Sequence, residues 1–420
     1  MGENLKKPPV RQWPVFRDII RAASAIQLKK HHTVITRKGT EGLRPPYVLL
    51  CNHNAFLDFF VASAAIYPAR ANFVVAIDGF TMPIGKDGFM SREGVMRLTG
   101  CIMKRKFTKD IVLVRQLKQV VENGDVPVIY PEARYSLCGT TAVLPESLGK
   151  FCSMLKVPVV TLICHGHHVN SPFWRLGDQK IPTEAELTLL LTAEEAGGLP
   201  VEEINRRINE AFQYDDFRWQ LEKGIEITDP KRAEGLHKVL YQCPVCGREY
   251  RMTSSGTVLR CEACGAEWQM DALGRLSGGP ETEFTGEGGY IHIPDWYEWE
   301  RRNVRHEVEN GTYNFEGPVH VKSLPDSKGY IDIGRGTMRH DENGFHVEVD
   351  GKYGHLTMDR AVQDLYSCHI EYEYLGKYGD CVDLNTLTDT WYVYPDGKDF
   401  AVTKFALATE ELYQHYYSRE

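Results

Sequence analysis

The chain has 420 residues, 42% of them hydrophobic, and a formal net charge of −8. Its length predicts two or three domains, and it contains no apolar run near the roughly 20 residues that a membrane-spanning helix needs. The first residues lack the apolar core of a signal peptide, and an odd count of eleven scattered cysteines does not fit a secreted disulfide framework. We therefore expect a cytoplasmic protein without membrane-spanning segments.

The opening segment, residues 1–30, predicts a basic amphipathic helix. Before Pro46, ten Lys and Arg residues stand against three carboxylates. Apolar residues recur at near-helical spacing: Trp13, Val15, Phe16, Ile19, Ile20, Ala23 and Ile26. Such a helix can lie on an anionic bilayer, which favours a peripheral location on the inner face of the membrane. The alternative is a helix that packs on the rest of the protein and leaves its lysines solvated.

One histidine and one aspartate follow the first predicted strand. Residues 47–51 form an apolar run, and Asn52 and Asn54 suit a turn and a helix cap. A spacing of five residues does not place His53 and Asp58 on one face of a helix, so we expect the histidine in the turn and the aspartate in the first helical turn. A carboxylate on one imidazole nitrogen leaves the other free to take a proton from a hydroxyl. His53 and Asp58 are therefore the predicted catalytic pair.

Apolar strands and helical stretches alternate from here onward. Strands are predicted at residues 72–77, 126–130, 157–164 and 188–192, and helices at residues 111–122 and 200–214. This alternation predicts an α/β domain built on a central sheet.

Four blocks in a fixed order make this region resemble the glycerolipid acyltransferase family, which includes the lysophosphatidate acyltransferases. The blocks are His53 with Asp58, residues 98–105, residues 130–136 and residues 157–160. The resemblance places an acyltransferase-like domain at residues 31–225. It implies an enzyme of phospholipid biosynthesis similar to the 1-acylglycerol-3-phosphate O-acyltransferases. Such an enzyme moves a fatty acyl group from acyl-CoA or acyl-carrier protein to the hydroxyl of a lyso-lipid or glycerol-phosphate-type acceptor.

The resemblance also implies substrate-binding residues in the second and third blocks. The second block ends in Lys104 and Arg105, and a guanidinium matches phosphate oxygens in a bidentate fork. The alternative for Arg105 is a solvated charge in a surface run. The third block contributes Glu132 and Arg134. It departs from the family's usual Pro-Glu-Gly-Thr-Arg-Ser, because Ala133 replaces the glycine and the arginine lies one residue early, which redirects the guanidinium.

Three histidines, His165, His167 and His168, follow the fourth block and admit two interpretations. They could bind a metal, although no matched carboxylate or cysteine spacing accompanies them. The favoured interpretation is that they line the substrate groove or cap the sheet.

Two Cys-x2-Cys turns predict a structural metal site at residues 238–276. The four thiolates close a tetrahedral zinc site with no open position for catalysis: Cys243, Cys246, Cys261 and Cys264. The segment resembles the rubredoxin-like zinc ribbons, which can also hold iron. Only three arginines lie nearby and an acidic segment follows, so nucleic acid is not an expected partner.

The last region, residues 285–420, predicts a β-rich domain. Strands are predicted at residues 319–322, 330–333, 344–349, 355–358, 370–375, 381–385 and 391–394, followed by a helix at 409–417. This order resembles a pleckstrin-homology-like partly open barrel. Carboxylates are about twice as numerous as Lys plus Arg, which favours a protein partner, or docking onto the basic N-terminal segment, over anionic lipid.

Two functional classes follow from these observations. The first is a membrane-surface acyltransferase with His53 as general base oriented by Asp58. The second is a non-catalytic lipid-binding scaffold or regulatory protein that uses the zinc ribbon and the β-rich domain for protein interaction. The presence of both His53 and Asp58 favours the enzyme. The altered third block, residues 130–136, is the reason for retaining the scaffold as an alternative.

Overall fold

The computed structural model describes residues 7–81, 83–84 and 90–419. The first part carries the helices α1 (Pro14–Lys30), α2 (Leu57–Ile66), α3 (Arg92–Leu98), α4 (Ile111–Glu122), α5 (Ser147–Leu155), α6 (His167–Asn170), α7 (Ala193–Gly198), α8 (Val201–Ala211) and α9 (Asp216–Lys223). Its strands are β1 (Val34–Lys38), β2 (Val48–Cys51), β3 (Ala71–Ala76), β4 (Pro83–Ile84), β5 (Met90–Ser91), β6 (Ile102–Lys104), β7 (Val126–Ile129), β8 (Val159–His165) and β9 (Glu184–Leu191). None of the described helices combines the length and the apolar character needed to cross a bilayer.

Seven of these strands form one sheet in the order β1-β9-β8-β2-β7-β3-β6. The strands β2, β3, β6, β7 and β8 run parallel, while β1 and β9 run the other way, because β8 and β9 pair antiparallel. All residues of β2 are buried, as is typical of a parallel strand covered on both faces. The predicted α/β domain with a central sheet is confirmed.

Five parallel strands deliver polar side chains to one edge of this sheet. His53 follows β2, Asp78 follows β3, Lys106 follows β6, Glu132 follows β7 and His167 follows β8. The carboxyl ends of parallel strands meet at one edge, where open α/β sheets place their ligand sites. The topology therefore gathers distant stretches of chain into one place.

A small antiparallel sheet follows the α/β part. Its strands, in order, are β10 (Met252–Ser255), β11 (Val258–Cys261), β12 (Glu267–Met270) and β13 (Leu276–Ser277). Leu259 and Trp268 are buried and supply its apolar packing. The Trp268 ring meets Trp296 edge-on with centroids 4.9 Å apart, so this sheet packs on the region that follows. Its assignment to the zinc ribbons stays a prediction.

The C-terminal region is β-rich, as predicted. Its elements are α10 (Ile293–Glu309), β14 (Phe315–Ser323), β15 (Ile331–Asp341), β16 (Gly344–Gly351), β17 (Gly354–Ala361), β18 (His369–Glu371), β19 (Cys381–Asn385), β20 (Thr390–Pro395) and α11 (Val402–Ser418). The strands form one antiparallel sheet in the order β17-β16-β15-β14-β20-β19-β18, and α10 packs on α11. The pleckstrin-homology-like arrangement stays a prediction.

Several predicted boundaries in this region are wrong. The strand predicted at residues 330–333, for example, continues to Asp341. The strand predicted at residues 370–375 ends at Glu371, because Glu373 and Leu375 adopt positive φ angles of 51° and 59°. The helix predicted at residues 409–417 begins earlier, at Val402. Its early turns are buried all round and so lack the two-sided pattern that marks a surface helix.

The α/β part and the C-terminal region share their hydrophobic cores. Leu324 and Tyr392 of the C-terminal region are buried in the same cluster as Leu49 and Phe73 of the central sheet. The β-rich region is therefore packed directly against the α/β part.

Candidate active site

His53 lies in the turn after β2 and Asp58 in the first turn of α2, where their spacing predicts them. Asn52 ties this turn to β8: its Nδ2 donates to the carbonyl of Cys164 at 2.8 Å, and its Oδ1 accepts from the N–H of the same residue at 2.7 Å. Nδ1 of His53 lies 3.1 Å from Oδ2 of Asp58. The structure thus brings the predicted pair into hydrogen-bonding contact.

Asp58 is completely buried and bonded through both oxygens. Oδ2 also accepts from the backbone N–H groups of Asn54 at 2.6 Å and Ala55 at 3.0 Å, while Oδ1 lies 2.5 Å from Nδ1 of His167. Burial opposes ionisation, but the hydrogen bonds from His167 and His53 outweigh it and lower the pKa of Asp58 to about 2. An ionised carboxylate therefore lies between two imidazoles at neutral pH.

The imidazole of His53 contacts two tyrosine rings. Tyr130 stacks on it with ring centroids 4.2 Å apart, and the Tyr135 ring lies at 4.4 Å. The His53 side chain is 25% exposed, and it lines a large cavity. Its Nε2 has no hydrogen-bond partner in the described part of the chain. This nitrogen can therefore exchange a proton with a group bound in the cavity.

Glu132 is fully buried, and its carboxylate accepts hydrogen bonds from two backbone N–H groups. Its Oε1 accepts from the backbone N–H of His53 at 3.0 Å, and its Oε2 accepts from that of Ala142 at 2.9 Å. The hydroxyl of Tyr214 donates to the same carboxylate over 3.1 Å. Burial raises the pKa of Glu132 to about 8, against the effect of these donors. Glu132 therefore supports the turn that carries His53.

The backbone conformation at Ala133 is one that glycine adopts more easily than alanine, which explains why the family's usual third block has a glycine here. Its φ is 57°, in the left-handed region that glycine enters without a Cβ penalty. An alanine here carries strain of about 1–2 kcal/mol. The loop thus keeps a glycine-like backbone without the glycine.

A cavity of about 910 Å³ opens beside His53. Its apolar wall comes from α2, β3, α4 and α5, with Phe59, Phe73, Leu117 and Phe151 among the lining side chains. Another wall comes from the C-terminal region, with Tyr366, His369, Glu371, Tyr374 and Tyr413. This volume is near the upper end for ligand sites, which reach about 1,000 Å³. The cavity can accept a long apolar chain, and both regions of the protein build it.

Residues 25–165 match the family model named Acyltransferase. They form an acyltransferase-family domain. The match contains all four blocks and ends just before His167. No curated protein matches the sequence. Among solved structures, the chain is similar to the 1-acyl-sn-glycerophosphate (LPA) acyltransferase PlsC from Thermotoga maritima, at 13% identity and a TM-score of 0.37, over 47% of this chain and 76% of that chain.

Three lysines of the acyltransferase-family domain line the cavity, and one of them, Lys109, pairs with Asp364 at 2.7 Å. Lys104 donates from Nζ to the carbonyl of Thr108 at 3.1 Å, and burial lowers its pKa. Nζ of Lys106 lies among three carboxylates, 3.3 Å from Asp383, 3.7 Å from Asp78 and 3.9 Å from Glu371. The positive charge of Lys106 is therefore balanced by these carboxylates. The ammonium of Lys104, in contrast, has no ion pair among the described residues.

Arg105 points into the C-terminal region. Its Nη1 donates to the carbonyl of Leu324 at 2.9 Å and to Oγ1 of Thr390 at 2.6 Å. Its Nη2 donates to the carbonyls of Pro325 at 2.7 Å and Thr388 at 3.2 Å. The residue is 1% exposed, so the solvated surface charge considered for it is wrong. The described residues that line the cavity do not include Arg105.

Arg134 lines the cavity and is also nearly fully buried. Its Nη2 donates to Oε1 of Glu410 in α11 at 2.7 Å. Burial alone would lower the pKa of Arg134, but the Glu410 carboxylate outweighs it and raises it. Its Nε and Nη1 have no hydrogen-bond partner in the described structure. Arg134 thus combines an ion pair to α11 with two unpaired donors.

Sequence reasoning missed the contact that His167 makes. It grouped this residue with His165 and His168, whereas the structure places His167, completely buried, on the carboxylate of Asp58. The available signal was its position directly after β8, because the ends of neighbouring parallel strands converge. The groups of described residues that could hold an ion include neither His165 nor His168, so the three histidines do not form a joint metal site.

The four cysteines of the predicted metal site converge. The sulfurs of Cys243 and Cys264 are 3.7 Å apart, and those of Cys246 and Cys261 are 3.8 Å apart. A tetrahedral zinc site with Zn–S bonds of about 2.3 Å places its sulfurs about 3.8 Å apart. The cluster can therefore hold a metal ion, and its donor set and spacing fit zinc.

Proposed function

We propose that the protein is an acyltransferase that moves a fatty acyl group from a thioester donor, acyl-CoA or acyl-carrier protein, to the hydroxyl of a lyso-lipid or glycerol-phosphate-type acceptor. The observation that carries the proposal is the position of His53. Its Nδ1 faces the ionised Asp58, and its ring borders a cavity with a long apolar wall. A fatty acyl chain fits such a cavity, and an imidazole at its wall can activate a hydroxyl.

In this proposal His53 is the general base. An alcohol is a poor nucleophile at neutral pH, so its proton passes to Nε2 of His53 as the oxygen attacks the thioester carbonyl. Nδ1 keeps its own proton and donates it in a hydrogen bond to Asp58. The negative charge of Asp58 then stabilises the imidazolium. The tetrahedral intermediate then expels the thiolate, which takes the proton back from His53. The acyl group passes directly to the acceptor, without an acyl-enzyme.

We assign Lys104 and Arg134 to the acceptor head group. Lys104 lines the cavity without an ion pair among the described residues, and Arg134 keeps Nε and Nη1 unpaired within that same part of the chain. Both can form charge-assisted hydrogen bonds to phosphate. Arg105 instead holds the C-terminal region against the second block, and Glu132 holds the main chain of His53.

The outer face of α1 is the proposed membrane contact. Val15, Ile19 and Ile26 lie along one side of the helix and are 65%, 58% and 67% exposed, while the other side packs on α2. Phe56 and Ile111, which line the cavity, are 67% and 69% exposed. An anionic bilayer would bury these apolar side chains and attract the basic residues of the N-terminal segment. The acceptor would then enter the cavity from the membrane surface.

The experiment measures free thiol released from acyl-CoA by the purified full chain across a panel of lyso-lipid acceptors. We expect acceptor-dependent release that is lost in His53→Ala. His355→Ala, at a histidine with 56% of its side chain exposed, is the control and keeps wild-type activity. A folded His53→Ala variant with wild-type rates contradicts the mechanism. Acceptor binding by the wild-type chain without thiol release for any acceptor favours the scaffold.

A further inference from the structure

We propose that His167 is a positioning residue for the transfer assigned above to His53: its neutral ring donates a hydrogen bond from Nδ1 to Asp58 and orients the carboxylate without neutralising it. The inference rests on the proposed function. It adds to the catalytic pair a third side chain, which begins α6 directly after β8, the strand that pairs with β2.

Asp58 divides its hydrogen bonds between its two oxygens. Oδ2 accepts from His53 and from two backbone N–H groups, whereas Oδ1 accepts from His167 alone within the described residues. The carboxylate is completely buried, so solvent cannot replace a missing donor. Without His167, Oδ1 would lose this hydrogen bond. The carboxylate would then be held only through Oδ2, and its orientation towards His53 would be less well fixed.

The neutral ring that we propose for His167 rests on its far nitrogen, which is unpaired in the described structure. The residue is completely buried, and Nε2 has no hydrogen-bond partner in the described structure. A protonated ring would place a second N–H at this atom and bury it without an acceptor, which is costly. The proton therefore sits on Nδ1, facing Asp58. The charge of Asp58 stays available for the imidazolium that forms at His53.

A metal ion does not account for this contact. Asp58, Cys164 and His167 do bring donor atoms within 4.8 Å of one another. However, Oδ1 of Asp58 and Nδ1 of His167 are 2.5 Å apart. Two ligands bound at about 2.0 Å to a tetrahedral ion would lie about 3.3 Å apart. The distance therefore fits a hydrogen bond and not a shared ion.

The backbone that carries His167 is closely packed. Gly166 turns the chain out of β8 with a φ of 84°, and a Cβ at this glycine would lie 2.5 Å from the ring of Trp219. All residues of α6, which His167 begins, are buried. The ring of His167 therefore lies on a closely packed turn that restricts its movement. A residue that orients another side chain needs such a fixed position.

The test compares two substitutions in the full chain. His167→Leu removes the donor at similar volume, and His167→Asn places an amide nitrogen where Nδ1 lies. We expect kcat for thiol release with acyl-CoA and lysophosphatidate to fall about 10- to 100-fold in H167L, the range for one hydrogen bond to a charged group, with KM unchanged. H167N should recover most of kcat. Wild-type kcat in H167L, or equal losses in both variants, overturns the proposal.

His168→Leu is the matched control. This neighbouring buried histidine packs edge-on against Trp174 and Phe217 and has no assigned part in the transfer. We expect H168L to keep wild-type kcat. A loss in H168L as large as that in H167L would mean that the effect comes from packing, and it would overturn the positioning role.

A second measurement does not depend on turnover. NMR of the protein labelled with 15N-histidine should show an exchange-protected ring N–H proton that disappears in both H167L, which lacks the donor, and D58A, which lacks the acceptor. Absence of this proton from the wild-type spectrum overturns the proposal even where His167→Leu does not fold. A wild-type chain that shows the proton but transfers no acyl group refutes the proposed function, whereas an active wild type matched by H167L refutes the role of His167 alone.

Discussion

Arg134 donates a hydrogen bond of 2.7 Å to Glu410, a residue 276 positions later in the chain. Both side chains are nearly inaccessible, at 3% and 1% exposure. Glu410 also accepts from Arg301 at 2.6 Å and from Ser367 at 2.7 Å. This buried cluster joins the third block of the acyltransferase-family domain to α11. The β-rich region is thereby held in place as a wall of the cavity.

The Arg134–Glu410 pair should show a large coupling energy. Removing one partner leaves the other charge buried, which costs about 3–5 kcal/mol. In a double-mutant cycle of R134M and E410Q, measured by chemical unfolding, we expect coupling above about 1.5 kcal/mol. The exposed pair Lys118–Glu122, with 61% exposure on both sides, is the control and should couple below about 0.5 kcal/mol. Equal coupling in the two pairs would contradict a structural role for the buried one.

Arg105→Lys should destabilise the protein rather than weaken acceptor binding. A lysine ammonium cannot satisfy the four acceptors that the planar guanidinium reaches, and buried carbonyls of the C-terminal region would lose their donors. We expect a loss of roughly 2–4 kcal/mol in the free energy of unfolding. Arg115→Lys, on the exposed side of α4, should change it by less than about 0.5 kcal/mol. An unchanged stability with a raised KM for anionic acceptors would instead assign Arg105 to phosphate binding.

Elements that carry a strong local pattern could be predicted, in the α/β part and in the C-terminal region alike. The helix predicted at residues 111–122 coincides with α4, and the strand predicted at residues 381–385 coincides with β19. Other elements lack such a pattern: β1 is mostly exposed, and β6 is very short. The helix α10 was missed because its buried side is built from Trp, Tyr and Val, residue types that favour strands.

The candidate site was predictable only where its contacts are local. His53 and Asp58 meet within one strand–turn–helix unit, and the cysteines come in two tight turns, so spacing reveals both. The partners of Arg105 and Arg134 lie more than 200 positions away, in a region whose packing no spacing rule describes. The contact of His167 with Asp58 depends on strand order, which local periodicity does not show.

Ile26→Glu should weaken binding to anionic vesicles. The side chain is 67% exposed on the proposed membrane face of α1, and losing its burial while adding a negative charge should lower the affinity by roughly tenfold or more. Binding is measured by co-sedimentation of the full chain with vesicles of phosphatidylcholine and phosphatidylglycerol. Leu176→Glu is the matched control, because Leu176 is 65% exposed and lies outside α1. Unaltered binding of the Ile26 variant would remove α1 from the membrane contact.

Asp58 should contribute stability that disappears in acid. Its pKa is lowered from 3.8 to about 2 in the folded protein, so its contribution is fully present above pH 3.8 and is lost as the pH falls through about 2. The shift corresponds to about 2 kcal/mol. Between pH 4 and pH 2, the free energy of unfolding should therefore fall by about 2 kcal/mol more in the wild type than in D58N. Glu342→Gln, at an exposed carboxylate, should follow the wild type, and parallel pH curves for D58N and wild type would refute the assignment.

Loss of one cysteine sulfur from the four-cysteine cluster should remove the metal and loosen the small sheet. Four thiolates with sulfurs 3.7 and 3.8 Å apart fit one tetrahedral ion, and a structural ion stabilises the fold that creates its site. Elemental analysis of the purified wild type should find one zinc per chain, and Cys261→Ser should lack it and unfold at lower temperature. Cys152→Ser removes a buried thiol outside the cluster, so it should keep the zinc whatever its effect on core packing. If the analysis finds iron instead of zinc, the predicted metal site stands and only the identity of its metal changes. A metal-free wild type that is as stable as the zinc-loaded protein would contradict a structural role for the cluster.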